Sequence, residues 1–310
     1  MSRLTTSTSI LSKVMGLRLR TLVSISQPRL KHFIGADNLV DGWDIYRSSN
    51  VAVTNSYIIN GDDCVSFKPN STNILVENLY CSGSHGISVG SLGEYAGTQD
   101  IVQNVLVKNI TMVNAENGAR IKAFGGSSSA TSTSGGGNGY AQNITFQDFH
   151  CEACGLPIVI DQCYETSSST CASYPSKVII SDIHYINVTG TSTSKEVVSL
   201  VCSDICQDIT ATGTNLVGTS GTSEYYCTNI ASTADLDFPC SASGSIVSAS
   251  KSSTTKTTST KTTSTTKKTT TTSSSTKTTK TTTTSSTKTT PTTEKTTTTT
   301  STTSKTTKSA

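Results

Sequence analysis

Two series of short β-branched runs recur through the middle of this chain and spread apart together, and that lockstep limits the fold more than any other feature. One series follows a polar residue each time: Asn50-Val-Ala-Val-Thr-Asn, Asn73-Ile-Leu-Val-Glu-Asn, Asn104-Val-Leu-Val-Lys-Asn, Asn143-Ile-Thr-Phe-Gln-Asp and Lys177-Val-Ile-Ile-Ser-Asp. Their starts are 23, 31, 39 and 34 residues apart. The second lies between them: Cys64-Val-Ser-Phe, Gly86-Ile-Ser-Val, Arg120-Ile-Lys and Pro157-Ile-Val-Ile, whose central residues Val65, Ile87, Ile121 and Ile158 are 22, 34 and 37 apart. Loops inserted between constant stacking positions would lengthen both spacings in concert. Short strands, turns rich in Asn, Gly and Asp, and almost no helical periodicity then predict an all-β fold, a right-handed single-stranded parallel β-helix. In such a fold each coil buries its apolar side against its neighbours. A β-sandwich is the alternative, but its strands need no such lockstep.

Charge divides the chain into segments that its net value of +3 conceals. Residues 1–31 hold six bases and no acid, residues 32–250 hold seven bases against 20 acids, and residues 251–310 hold 11 Lys against Glu294 alone. From about Ser241 the sequence is nearly all Ser, Thr and Lys. It cannot bury enough apolar area to offset an ordering entropy of roughly 1–2 kcal/mol per residue. Residues 246–310 are therefore expected to form a disordered, O-glycosylated tail. A nucleic-acid-binding reading of its lysines lacks the arginines and aromatics that add bidentate and stacking contacts. Residues 33–245 are the expected β-helix domain. Residues 1–32 are basic and lack the uninterrupted apolar core of a secretory signal, and they are expected to lie outside the fold, as a misassigned start or a transit peptide. A chain whose coils begin near Phe33 leaves its first coil uncapped, so earlier coils, and a signal peptide with them, are expected to be missing. No apolar run is long enough to cross a bilayer.

Spacing also gathers reactive residues on one face. Asp41, Asp63 and His85 follow one another at 22-residue intervals, each just before an apolar strand, and equivalent positions on adjacent coils stack about 4.7–4.9 Å apart. On the next coil Arg120 and Lys122 point outward together while Ile121 points into the core. With Asp62, that face would hold three carboxylates, an imidazole and two cations, the equipment for hydrolysing a glycosidic bond in an anionic sugar chain. Such a reaction needs a carboxylic acid to protonate the leaving oxygen and a carboxylate to activate water, about 6.5–9.5 Å apart when the configuration inverts. Crowding among Asp41, Asp62 and Asp63 should raise at least one pKa and leave a protonated acid available. Arg120 could hold a sugar carboxylate through two parallel hydrogen bonds. Taken singly, Asn60-Gly-Asp-Asp63 reads as a turn, His85 as a solvated loop residue, and Arg120 with Lys122 as an exposed polar face. The shared register sets them apart from His32, His150 and His184, which are expected to be structural.

The motifs Asp41-Gly42-Trp43-Asp44, Gly61-Asp62-Asp63-Cys64, Gly83-Ser84-His85-Gly86 and Arg120-Ile121-Lys122, in this order, resemble the family 28 glycoside hydrolases, the polygalacturonases, over about Phe33 to Cys240. The resemblance implies a pectin-lyase-like, right-handed parallel β-helix and inverting hydrolysis of α-1,4-linked galacturonic acid with no metal or other cofactor. It makes Asp62 the general acid, Asp41 and Asp63 the residues that position and deprotonate water, and His85 the keeper of the geometry. Arg120 and Lys122 would bind a galacturonate carboxylate, and Tyr164 is a looser match to a substrate-contacting tyrosine. The strings around Trp43, Cys64 and Gly86 are similar to the fungal exo-acting branch, which removes single units from chain ends. The implied partner is a pectic polysaccharide, with no nucleic acid or membrane, met by a secreted monomer. Leu39-Val40 stand where the family has Asn-Thr, which removes polar groups next to Asp41. That departure and the missing coils keep a catalytically impaired or pectin-binding remnant as an alternative; a calcium-dependent pectate lyase-like β-helix enzyme is another.

All 10 cysteines fall between Cys64 and Cys240 in close pairs. Cys64/Cys81, Cys151/Cys154, Cys163/Cys171, Cys202/Cys206 and Cys227/Cys240 are the expected disulfides of an oxidising compartment, and the first also resembles a family disulfide. A zinc site built from Cys151, Cys154, Cys163 and Cys171 is the rival reading. Four sequons, at Asn70, Asn109, Asn143 and Asn187, suit a secreted glycoprotein. The Gly/Ser-rich segment from Gly125 to Gly139 is a candidate wall of the substrate cleft.

Overall fold

A computed structural model of the chain describes residues 23–26, 31–33, 41–241 and 243–250. Two parallel ladders of strands wind around one core as a right-handed parallel β-helix. The first ladder contains β1 (Val23–Ser26), β2 (Lys31–Phe33), β4 (Ser49–Ile59), β6 (Ser71–Ser82), β8 (Gln99–Val113), β10 (Asn138–Cys154), β12 (Lys177–Ser192) and β14 (Asn215–Val217). The second contains β3 (Trp43–Ile45), β5 (Asp63–Phe67), β7 (Gly86–Leu92), β9 (Asn117–Phe124), β11 (Leu156–Tyr164) and β15 (Thr222–Ile230). The long strand β13 (Glu196–Thr212) serves both, pairing with β11 through Val198–Val201 and with β12 through Gln207–Thr212. A short helix, α1 (Ser168–Ser173), fills the connection from β11 to β12.

Alternation along each strand sends β-branched side chains inward in columns. Val51, Ile74, Val105, Ile144, Ile183 and Ile209 form one column of the first ladder, every member buried. In the second ladder Val65, Ile87, Ala119, Ile158 and Val198 form one column, and Phe67, Val89, Ile121, Ile160 and Leu200 the next. Burying each large member contributes about 1.5–3 kcal/mol, so the columns dominate the stability of the stack.

These registers correct the spacing argument at two places. Ile121 sits over Val89 and Ile158 over Ala119, so the sequence series slipped by two residues there. Lys177 pairs with Asn138; the counterpart of Asn143 is Asp182, 39 residues on, which makes the last interval equal to the one before it.

The polar residues that open each run are corners. Asn50, Asn73, Asn104 and Asn143 have φ between 52° and 57°, and Asn55, Asn78, Asn109, Asp148 and Asn187 turn a second corner five residues later with φ of 50–58°. Asn tolerates this left-handed region better than other side-chain-bearing residues. Here its amide also bridges coils: Asn73 donates to Asn50 at 3.3 Å, Asn104 to Asn73 at 2.8 Å and Asn143 to Asn104 at 2.8 Å. Asn78, Asn109 and Asn187 donate in the second series to Asn55, Asn78 and Asp148. Three of the four sequon asparagines, Asn109, Asn143 and Asn187, are therefore exposed yet committed to these amide ladders, while Asn70 is exposed on a turn.

Both predicted ends extend further into the fold than the composition suggested. Backbone pairing of β1 and β2 with β4 brings parts of the basic leader into the first ladder. At the other end, β16 (Val247–Ser250) runs antiparallel to β15 across the last coil, because the edge of that coil offers unpaired N–H and C=O groups to any extended segment. Residues 251–310, and Leu39-Val40, lie outside the described residues. Four expected disulfides form: Cys64–Cys81, Cys163–Cys171, Cys202–Cys206 and Cys227–Cys240. The fifth pair does not. Cys151 and Cys154 are buried free thiols, lodged where β10 shifts register against β12, and burial beside Cys154 pushes the Cys151 thiol well up. The Cys163–Cys171 bond also removes two of the four thiolates that the zinc reading requires.

Candidate active site

The second ladder carries the site on its outer surface. Gly42 lets the first coil lie against the second, since a side chain there would run into the Cys64 carbonyl; its N–H donates to the Asp63 carbonyl at 2.8 Å. This close approach brings Asp41 to the turn before β5, where the Asp63 N–H donates to Asp41 Oδ1 at 3.1 Å and to Asp62 Oδ1 at 2.8 Å. The buried amide of Asn60 ties the same turn together, donating to the carbonyls of Asp62 and Asp63 at 2.9 Å each.

A bulge decides where the imidazole goes. The 22-residue interval alone would stack His85 on Asp63, but the register shifts between Asp63 and Val65, so that Gly86 lies opposite Asp63 and His85 opposite Asp62. The His85 N–H donates to the Asp62 carbonyl at 2.8 Å, and His85 Nδ1 is 3.2 Å from Asp62 Oδ1. On its other side His85 Nε2 is 3.3 Å from Glu116 Oε2, so the ring is gripped between two acids.

Asp63 lies beneath, 1% exposed, with both oxygens engaged. Ser88 Oγ donates to Oδ1 at 2.5 Å and Lys122 Nζ to Oδ2 at 2.8 Å. The outward-pointing Lys122 of the sequence reading is in fact 6% exposed, a buried partner of Asp63 reaching back from two coils further on. Gly90 stands on the coil between them, and a side chain there would strike the Lys122 carbonyl. Arg120 is half-buried, directs one N–H to the His85 carbonyl at 3.4 Å and lies 5.6 Å from the centre of the Tyr164 ring; Lys122 Nζ lies 5.4 Å from the same ring. Tyr164 packs edge-on against Phe124. All seven residues expected at the site therefore form one contiguous cluster. His150 and His184 instead bond Thr189 and Thr210 on neighbouring coils, as structural histidines do.

Burial pushes the Asp41 carboxyl up to about 7; Lys68 pulls the other way, while Asp44 and Asp62 add to the rise. The resemblance had given the proton-donating role to Asp62. One oxygen from each of Asp41, Asp62 and Asp63 lies within 4.8 Å of the others. Three carboxylates at this distance could share a cation as well as a proton. Lys122, however, already places an ammonium on Asp63, so a metal would have to displace it.

Sequence models of the glycosyl hydrolases family 28 match residues 20–236. The chain belongs to this family. Over 199 residues this family 28 domain is 53% identical to the probable exopolygalacturonase X of Neosartorya fischeri, an alignment covering 61% of the chain and 46% of that relative. It is 50% identical over 198 residues to the exopolygalacturonase of Cochliobolus carbonum, covering 61% and 44%. Among solved structures, the endo-xylogalacturonan hydrolase from Aspergillus tubingensis is similar with a TM-score of 0.58 at 33% identity, over 66% of this chain and 54% of that one. The chain spans about half the length of the curated relatives it matches.

Several residues of the family 28 site escaped the sequence reading. Ser88, Glu116 and Lys68 sit against Asp63, His85 and Asp41, respectively. For Ser88 and Lys68 a signal existed, because alternation from the inward Ile87 and Phe67 turns both outward on catalytic coils. Glu116 sits in a loop with no periodicity to place it.

Proposed function

We propose that this domain hydrolyses α-1,4-galacturonosyl bonds of pectic polysaccharide with inversion, removing galacturonate from chain ends. The observation that carries the reading is the convergence of Asp41, Asp62 and Asp63 beside Arg120 and Tyr164 on one open face. Asp62, one-third exposed and facing His85, donates a proton to the glycosidic oxygen. The imidazole, bridged between Asp62 and Glu116, fixes the direction of that carboxyl. Asp63, held by Ser88 and Lys122, and Asp41, tied to the Asp63 N–H, orient the attacking water. The remaining N–H groups of Arg120 grip a substrate carboxylate, with the Tyr164 ring as backing. Relatives named exopolygalacturonase, at 50–53% identity, support action at chain ends over the internal cleavage named for the 33%-identical structure. Four disulfides and four sequons support a secreted glycoprotein.

The test is incubation of the purified chain with trigalacturonate and polygalacturonate. Saturated monogalacturonate should accumulate, a chelator should not slow it, and Asp62→Asn should abolish it. Chelator-sensitive release of unsaturated product would make the domain a lyase, and binding without turnover would make it a pectin-binding remnant. Proton NMR of the first anomer released checks the stereochemistry: β-galacturonate marks inversion, and α-galacturonate would mark retention and overturn that part of the proposal.

A further inference from the structure

Lys68 follows directly after β5, anchored by its N–H to the Ile45 carbonyl at 2.8 Å. Phe67 before it is fully buried, so the lysine turns outward beside the catalytic turn. Its ammonium lies 3.5 Å from Asp41 Oδ2 and 3.4 Å from Asp44 Oδ1, with only 30% of the side chain exposed. No substrate is needed to explain that position: one cation sits between two acids from the preceding coil and also faces Asp63. The charged groups around Asp41 are thus Lys68 and Asp63 from the β5 coil, Asp62 from the turn before it, and Asp44 from its own coil.

A carboxylate that activates water must be ionised when substrate arrives, yet burial and the neighbouring Asp44 and Asp62 all favour the protonated form of Asp41. Lys68 is the basic side chain placed to oppose them. We propose that Lys68 is a positioning residue that weakens the hold of Asp41 on its proton and so widens the pH range in which Asp41 is ionised to activate water, a role that rests on the hydrolase reading above. Two further facts fit. Burial acts to lower Lys68, but Asp41, Asp44 and Asp63 outweigh it and keep its ammonium above the ordinary value. The cation is also satisfied without substrate, in contrast to Arg120, whose guanidinium makes one long hydrogen bond, to the His85 carbonyl, and otherwise lies over the Tyr164 ring.

The experiment compares the full chain with Lys68→Met, Lys68→Gln and Lys68→Arg. It measures the pH profile of kcat/KM on trigalacturonate and the titration of the Asp41 carboxyl carbon by NMR, assigned with Asp41→Asn. Both charge-removing variants should move the Asp41 titration and the acid limb of the profile upward by roughly one unit or more. Their kcat should fall at acidic pH while KM changes little, and Lys68→Arg should restore the wild-type limb. A raised KM with an unmoved limb and titration would overturn the proposal and make Lys68 a substrate grip; no change in either readout would overturn it outright. If the wild-type chain cleaves no galacturonan, the hydrolase reading fails, and the NMR titration still decides whether Lys68 controls Asp41. If Lys68→Met fails to fold, Lys68→Gln carries the same comparison.

Discussion

The two ladders of this coil are built from similar β-branched runs but tolerate different things. In the first, β4, β6 and β8 pair without a register shift, and the corners repeat with the same left-handed asparagines. In the second, the pairings of β5 with β7, β7 with β9, and β9 with β11 all shift register. Asp63, Lys122, Ser66 and Ser88 are buried there. A strand that keeps perfect register presents the same kinds of groups at every coil, which suits a scaffold. A site needs unlike groups aimed at one point, and each bulge re-aims a side chain by one position. The irregular ladder can afford its buried charge because the regular one supplies most of the corner bonding.

Five substitutions probe this contrast. Asp62→Asn, on the working ladder, should lower kcat roughly 10²–10⁴-fold while leaving the thermal midpoint unchanged; a matching loss of stability would mean that Asp62 also supports the fold. Lys122→Met leaves Asp63 buried without its partner, at about 3–5 kcal/mol by chemical denaturation. Adding Asp63→Asn should recover much of that loss, and failure to recover would show that Lys122 acts by packing alone. Asp41→Asn tests the carboxyl that burial pushes up to about 7. Between its ordinary value near 3.8 and about 7, the native state holds this proton more tightly than the unfolded chain does, so wild-type stability falls as pH rises through that window. The variant should therefore melt at the same temperature as wild type near pH 4 and above it near pH 7.5; an offset equal at both values would refute the account. The smallest effect belongs to the scaffold. Asn73→Gly keeps the left-handed corner but removes its bonds to Asn50 and Asn104, for about 1 kcal/mol, with kcat/KM untouched.

Much of this could be read before any coordinates. Alternation placed the inward columns, the repeated Asn marked the corners, and the 22-residue steps brought Asp41, Asp62, Asp63 and His85 together. What alternation cannot detect is a slip that preserves it. Moving Ile121 by two residues leaves it on the same face, so that slip is invisible to the pattern. Lys177 opens a run of the same composition as the others, but that run ends at the corner, Asp182, where the others begin at theirs. The bulge that carries His85 from Asp63 to Asp62 changes no residue type at all. Lys68 was passed over for a different reason: its role comes from lateral neighbours on the preceding coil, which no spacing along a single strand reveals. Strand β16 was lost because its low hydrophobicity resembles the tail that follows, and only the open edge of β15 gives it a partner.

That reversed strand gives the stack a direction of growth. Parallel coils recruit further coils because each leaves an edge that copies its own polarity, the same geometry by which chains assemble into fibrils. By running the opposite way, Val247–Ser250 breaks the copying rule at one end. A parallel coil added beyond it would meet an edge of opposite polarity, whereas β3, at the other end of the second ladder, keeps the polarity of the coils.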